Sequence, residues 1–186
     1  MSRNRKSICS NNPKSGFEKG IEVEQRRRNM QAIRGRDTRL EIVVRKALYQ
    51  RGFRYRIAPV GIPGKPDIWM GKHRAAVFIN GCFWHAHGCH LFTLPRTRRA
   101  FWAEKLNGNV IRDRKNLAAL HRLGIRVLVI WECALKGHAR LPEGTTARLV
   151  ETWIISGSKA GIIDSGGMIC LNETENDRMT GILTTV

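Results

Sequence analysis

The sequence predicts a mixed α/β domain built around a central sheet, and three observations predict it. An amphipathic helical pattern runs from Thr38 to Gly52, two short extended runs flank Gly71, and a continuous apolar run, Arg126-Val127-Leu128-Val129-Ile130-Trp131, follows a long helical stretch. An uninterrupted apolar strand is of the kind buried on both faces, and helices before and after it are what would cover those faces. A chain of 186 residues with 42% hydrophobic side chains has enough apolar material for one real core, so the chain as a whole is not disordered.

Taken in order, residues 1–25 are rich in Ser, Asn, Arg, Lys and Gly without periodicity, which predicts a disordered basic arm. Residues 26–33 can form a short helix laid against phosphates. From there Leu40, Val43, Val44, Ala47 and Leu48 fall at helical spacing, Thr38 and Glu41 have the form of a capping box, and Gly52 ends the helix. Residues 53–57 alternate as a half-exposed strand. After the turn Gly61-Ile62-Pro63-Gly64-Lys65-Pro66, strands over 67–70 and 75–79 are expected to pair as a hairpin around Gly71. Two helices are predicted over 97–106 and 110–123, the second stopped by Gly124, then the strand over 126–131 and a last helix over 146–155. There is no internal repeat. The domain is bounded at 26–157, and residues 158–186 are set apart as a C-terminal tail of unknown role.

Thirty-three Lys and Arg against fifteen Asp and Glu give a net charge of +18. Residues 1–60 carry sixteen basic and five acidic side chains, residues 61–140 fourteen and four, and residues 141–186 three and six, so the excess is confined to the first 140. Such a field suits a polyanion, most often nucleic acid, because neutralising phosphates releases counterions, and interleaved Trp and Phe offer surfaces for base stacking. No stretch approaches the roughly eighteen apolar residues of a membrane span, and the N-terminus lacks an apolar signal region. The expectation is a cytoplasmic, nucleoid-associated protein with no membrane partner.

The run Gly81-Cys82-Phe83-Trp84-His85-Ala86-His87-Gly88-Cys89-His90, answered by Cys133 after the apolar strand, reads as a metal site. Thiolates and imidazoles are the ligands of tetrahedral zinc; Cys82, His87, Cys89 and Cys133 close a Cys3His shell, with His85 or His90 able to take the place of His87. A closed shell leaves no position for water, so the zinc is expected to be structural. A zinc deaminase is disfavoured, because the Glu two residues after a ligand His and the Pro-Cys-x-x-Cys partner are missing. Five Cys is an odd number, and three of them suit a metal better than a disulfide framework; Cys9 and Cys170 fall in the predicted tails.

Two carboxylates on separate elements can converge: Asp67, just after Pro66 at the head of a strand, and Glu41, in the first turn of the helix. Hard oxygen donors beside a basic field suit Mg2+ and phosphodiester hydrolysis. Glu41 can equally be only the third residue of a capping box, and Asp67 a turn residue.

The segments 28–33, 37–41, 63–67, 77–85, 101–105, Asn109-Val110-x-Arg112-Asp113 and 129–135, in register over about residues 27–155, resemble the very short patch repair (Vsr-type) mismatch endonucleases. The resemblance implies a restriction-endonuclease-like core, with a central mixed sheet flanked by helices and a structural zinc site. It further implies an enzyme that nicks one strand of duplex DNA on the 5′ side of the thymine in a T·G mismatch arising from 5-methylcytosine deamination. Carried over by position, Asp67 is the principal Mg2+ ligand, Glu41 a supporting carboxylate and His85 the base that activates water. Cys82, His87, Cys89 and Cys133 hold zinc. Phe83, Trp84 and Trp102 form a wedge entering the base stack, with Met30, Arg26, Arg27, Arg28 and Asn109 as further DNA contacts. Where relatives carry Thr-His before Gly-Cys-Phe-Trp-His, this chain has Ile79-Asn80: Ile79 can still offer its backbone carbonyl to Mg2+, whereas Asn80 cannot donate as an imidazolium. The resemblance also implies a monomer with a functional link to a cytosine-5 DNA methyltransferase and to mismatch-repair proteins. The rival readings are a zinc-stabilised DNA-binding module without catalysis, using the same charge and aromatics but no Mg2+, and a restriction-type nuclease cutting both strands at matched sites; for Phe83 and Trp84 the alternative to a wedge is hydrophobic packing over the zinc loop.

Overall fold

The computed structural model describes residue 24 and residues 36–171. Contacts divide the chain into two units, Met1–Thr38 and Arg39–Val186, and the architecture that follows is that of the second. The expected arm, the helix over 26–33 with Arg26, Arg27, Arg28 and Met30, and the chain beyond residue 171 lie outside the described residues.

Five strands form one mixed sheet in sequence order: β1 (Ile68–Met70), β2 (Ala75–Asn80), β3 (Arg126–Trp131), β4 (Ala160–Asp164) and β5 (Gly167–Leu171). β1 and β2 are an antiparallel hairpin, with Met70 opposite Ala75 across the single 3-10 turn Gly71–His73. The pairs β2–β3 and β3–β4 are parallel, and β4–β5 is again antiparallel. Parallel neighbours need a crossover, and the helices supply it. Helix α1 (Arg39–Gln50) precedes the sheet, α2 (Arg99–Arg122) links β2 to β3, the single turn α3 (Glu132–Leu135) leaves β3, and α4 (Thr145–Ser156) leads into β4.

Alternation along β3 separates the two faces. Leu128 and Ile130 join Val44 and Leu48 of α1 and Val150 and Trp153 of α4 in one core cluster. Val127, Val129 and Trp131 join Leu117 and Leu120 of α2 in the other. Arg126, at the head of β3, donates to the carbonyls of Trp153 (2.6 Å), Ile154 (3.1 Å) and Ser158 (2.9 Å), satisfying the last carbonyls of α4 and turning the chain into β4. Glycine is required at 161, where a Cβ would lie 2.8 Å from the Trp153 ring.

Four expectations are corrected. Residues 53–57 are not a strand: a single bridge, Arg56 to Trp69, is formed, and Pro59, Pro63 and Pro66 in the following loop have no N–H with which to extend it. The two helices expected over 97–123 are one. Leu106 and Val110, one turn apart, are buried on the same face and carry the helix through Asn107-Gly108-Asn109. The sheet does not end with the helix over 146–155, since β4 and β5 lie within the segment set apart as a tail and Cys170 sits in β5. Finally, α1 is rotated relative to the expected stripe. It buries Glu41, Val44, Arg45 and Leu48, while Val43 is 53% exposed.

Candidate active site and metal centre

The C-terminal ends of β2 and β3, adjacent and parallel, carry most of the predicted site, because the last paired residues, Asn80 and Trp131, are followed by the zinc run and by Cys133. The ligand atoms of Cys82, His87, Cys89 and Cys133 all lie within 4.8 Å of one another. His87 Nδ1 stands 3.5 Å from Cys82 Sγ and 3.7 Å from Cys133 Sγ. Tetrahedral zinc with ordinary Zn–S and Zn–N bonds requires a sulfur-to-nitrogen separation of about 3.6 Å, so the donor set fits that ion.

Backbone amides and an aromatic ring line the cluster. Burial pushes the Cys82 and Cys133 thiols above the usual range and holds the His87 imidazole below it, so binding displaces thiol protons and meets a neutral ring. The amides of Cys133 and Leu91 donate to Cys82 Sγ (3.3 Å) and Cys89 Sγ (3.4 Å), and the Trp131 ring stacks flat on His87 at 4.1 Å. Glu132 Oε2 accepts from the Cys82 amide at 3.1 Å, joining the start of the loop to the turn after β3. Of the alternative histidines, His85 turns to Asp113 and His90 lies against His138, and His87 is the histidine grouped with the three thiols.

On the β1 side Asp67 feels the charge of Glu41, and Arg45 bonds to both residues. Asp67 Oδ2 accepts the Ile79 amide at 2.7 Å across the mouth of the hairpin, beyond the last paired residues Ile68 and Val77. Burial pushes the Asp67 carboxyl up to about 6; neighbouring Glu41 pushes the same way, and the Ile79 amide, Arg45 and His85 pull it back. A half-buried carboxylate near a second one is a poor anion on its own and a good ligand for a cation. The loop before it is pressed into place: a Cβ on Gly64, already at φ +75°, would stand 3.1 Å from the Phe78 ring and 3.2 Å from Asn116 of α2.

Asp113, the last residue of the Asn109-Val110-x-Arg112-Asp113 motif, has a role that the motif does not reveal. It lies on α2, 28 residues from His85, and its Oδ2 is 2.5 Å from His85 Nδ1. A carboxylate acceptor fixes the proton on Nδ1 and leaves the Nε2 lone pair free. The signal available was a lone acid in Arg112-Asp113-Arg114, on a helix short of acids. Arg45, too, has a place that the sequence does not reveal: its guanidinium bonds both Glu41 and the Asp67 carbonyl.

Phe83, Trp84 and Trp102 come together. Phe83 lies 5.1 Å from Trp84 and 5.4 Å from Trp102, both edge-on, and Trp84 lies 6.2 Å from Trp102. All three are partly exposed, and Phe83 also packs on Ala86, Leu106 and Val110. Asn109 donates to the Trp84 carbonyl at 2.9 Å, so its amide holds the aromatic segment against α2. Lys105 lies 5.9 Å from the ring centroids of both Trp84 and Phe101.

The family model for the DNA mismatch endonuclease Vsr matches residues 20–91. The DNA mismatch endonuclease Vsr of Escherichia coli K12 is 41% identical over 143 residues, which is 77% of this chain and 92% of that protein. The chain belongs to the Vsr family. Type II nicking enzymes are similar as well: V.NmeAIP of Neisseria meningitidis, 44% identical over 59% of this chain and 79% of its own length, and V.XorIIP of Xanthomonas oryzae pv. oryzae, 43% over 62% and 85%. As a Vsr-family member this is a DNA-nicking endonuclease, a phosphodiester hydrolase, with a mixed α/β fold of the restriction-endonuclease type and a Cys3His cluster of zinc-site character. Among the described residues, no helix is long and apolar enough to cross a membrane.

Proposed function

We propose that this Vsr-family protein nicks one strand of duplex DNA 5′ to the thymine of a T·G mismatch left by deamination of 5-methylcytosine, with Mg2+ at Asp67 and a structural zinc beneath the catalytic loop. The observation that carries the reading is the convergence on neighbouring strand ends of a half-buried carboxylate, an acid-held histidine and an aromatic cluster.

Asp67 and Glu41 are the carboxylates that would hold Mg2+. Ile79 joins them because the N–H and C=O of a strand residue point to the same side, and its N–H meets Asp67. The cation, when bound, supplies charge stabilisation at the scissile phosphate. His85 accepts the proton of the attacking water at Nε2 as the new P–O bond forms and the old one breaks, and Asp113 stabilises the imidazolium through Nδ1–H. Asn80, ending β2, offers a neutral amide to phosphate. Phe83, Trp84 and Trp102 unstack bases where the pair is already weak, at a cost of a few kcal/mol per step that is least at a mismatch. The charge of the first 140 residues supplies sequence-independent attraction, with Arg26, Arg27 and Arg28 as phosphate contacts and Met30 as a further DNA contact. The reading makes the protein a nucleoid-associated monomer, linked to a cytosine-5 DNA methyltransferase and to mismatch-repair proteins.

Strand-resolved cleavage of end-labelled duplexes carrying T·G, C·G or T·A at one position tests it. The expected result is a single Mg2+-dependent nick in the thymine strand of the T·G duplex. Breaks in both strands of matched duplexes would make the protein a restriction-type nuclease, and tight binding without cleavage a zinc-stabilised DNA-binding module.

A further inference from the structure

Helix α1 buries the wrong residues for a helix whose only task is to cover a sheet. Ile42 and Val43 are 39% and 53% exposed, whereas the side chains of Glu41 and Arg45 are each only 6% exposed. Rotating the helix toward its apolar stripe would return two aliphatic side chains to the core and a charge pair to water. Removing two ions from water costs more than an i,i+4 pair returns, and apolar residues of similar volume commonly replace such pairs without loss of stability. The burial therefore calls for a reason other than folding.

The geometry supplies one. Arg45 Nη2 donates to Glu41 Oε2 at 2.8 Å, and Arg45 Nε donates to the main-chain carbonyl of Asp67 at 3.2 Å. One rigid guanidinium thus ties the carboxylate on α1 to the peptide of the residue that opens β1. The far side of Asp67 is tied in turn, its Oδ2 accepting the Ile79 amide. We propose that Arg45 is a positioning residue of the magnesium site, fixing the separation and orientation of Glu41 relative to Asp67 before a cation arrives. The proposal rests on the magnesium reading of Asp67 and Glu41. Only a planar fork can do this: an ammonium on a flexible stem reaches one acceptor or the other but does not hold both in a set geometry. Groups that orient metal ligands typically change metal affinity by about 10- to 100-fold when removed.

The test uses full-length, zinc-loaded Arg45→Lys and Arg45→Gln proteins. Arg45→Lys keeps a charge beside Glu41 and so serves as the folded variant if Arg45→Gln is too unstable. Mn2+ binding, read by the electron paramagnetic resonance of the free ion, should weaken by about 10- to 100-fold. The Mg2+ concentration for half-maximal nicking should rise in step, with zinc content and DNA affinity unchanged. Lowered thermal stability with wild-type Mn2+ affinity would make Arg45 a purely structural residue and overturn the proposal. Asp67→Asn separates the two levels of inference. Wild-type Mn2+ binding that survives Asp67→Asn overturns the magnesium reading and the proposal with it, whereas binding lost in Asp67→Asn but intact in both Arg45 variants overturns the proposal alone.

Discussion

Replacing Asp67 with Asn should make the protein more stable while abolishing its chemistry. Folding raises the Asp67 carboxyl from 3.8 to about 6, chiefly because burial disfavours the charged form. That is roughly two pKa units, or about 3 kcal/mol at 1.36 kcal/mol per unit, and the partial exposure of the residue lowers the expectation to about 1–3 kcal/mol. The sign follows from which state holds the proton longer. Below about pH 4 the carboxyl is protonated in both states and carries no penalty. Between about pH 4 and 6 the unfolded chain releases its proton first, and above pH 6 the folded protein bears the full cost of a half-buried anion. The Asn side chain keeps an oxygen for the Ile79 amide and escapes the charge. In a domain of this size the gain amounts to roughly 3–8 °C in Tm at pH 8, shrinking toward pH 4.5. Thermal unfolding of both zinc-loaded proteins across that range is the assay, without chelator, which would strip the zinc. Zinc lost at low pH is lost from both alike, so the difference between the curves isolates residue 67. Added Mg2+ should raise the Tm of the wild type and leave the variant unmoved. A variant less stable at pH 8, or a difference independent of pH, would refute the account.

Cys133→Ala should lower zinc content and Tm together, and undiminished zinc by metal analysis would remove Cys133 from the shell. Asp113→Asn should keep zinc and DNA affinity but lose roughly 10²- to 10⁴-fold in single-turnover nicking, because an amide cannot stabilise the imidazolium; wild-type rates would confine Asp113 to packing. Truncating Trp84 or Trp102 to Ala should cost about 1–3 kcal/mol of binding per stacking contact, more on T·G than on C·G duplex. Equal losses on both duplexes would leave the aromatic cluster as core.

Much of the site was legible because its residue types are rare and close together. Cys82, His87 and Cys89 fall within eight residues, and a thiol ending an apolar strand needs a partner. The hairpin at Gly71 and strand β3 were legible from period and composition. Asp113 and Arg45 were not assigned roles because their significance lies in a partner far away in sequence or in a burial that a hydrophobic pattern inverts. On α1, pattern reading sends Arg45 to solvent, and the structure sends it inward beside Asp67. The strands β4 and β5 were overlooked for a different reason. Ala160-Gly161-Ile162-Ile163 and Met168-Ile169-Cys170-Leu171 flank Asp164-Ser165-Gly166-Gly167, a hairpin signal in its own right, obscured because the region lies beyond the segments that carry the family resemblance.

The position of the metal ligands relative to the sheet gives the zinc a second meaning. Asn80 and Trp131 are paired across β2 and β3, and Cys82 and Cys133 each follow two residues later. A slip of one residue between these strands moves one thiol by about 3.3 Å along the sheet and turns it to the opposite face, out of reach of His87. The β1–β2 hairpin, and with it the bond from Ile79 to Asp67, would be untouched by that slip. Only molecules with β2 and β3 in register would therefore bring all four ligand atoms together. A zinc bound there would act as a proofreader of strand pairing, and the metal content of a preparation would report how much of it has β2 and β3 in register.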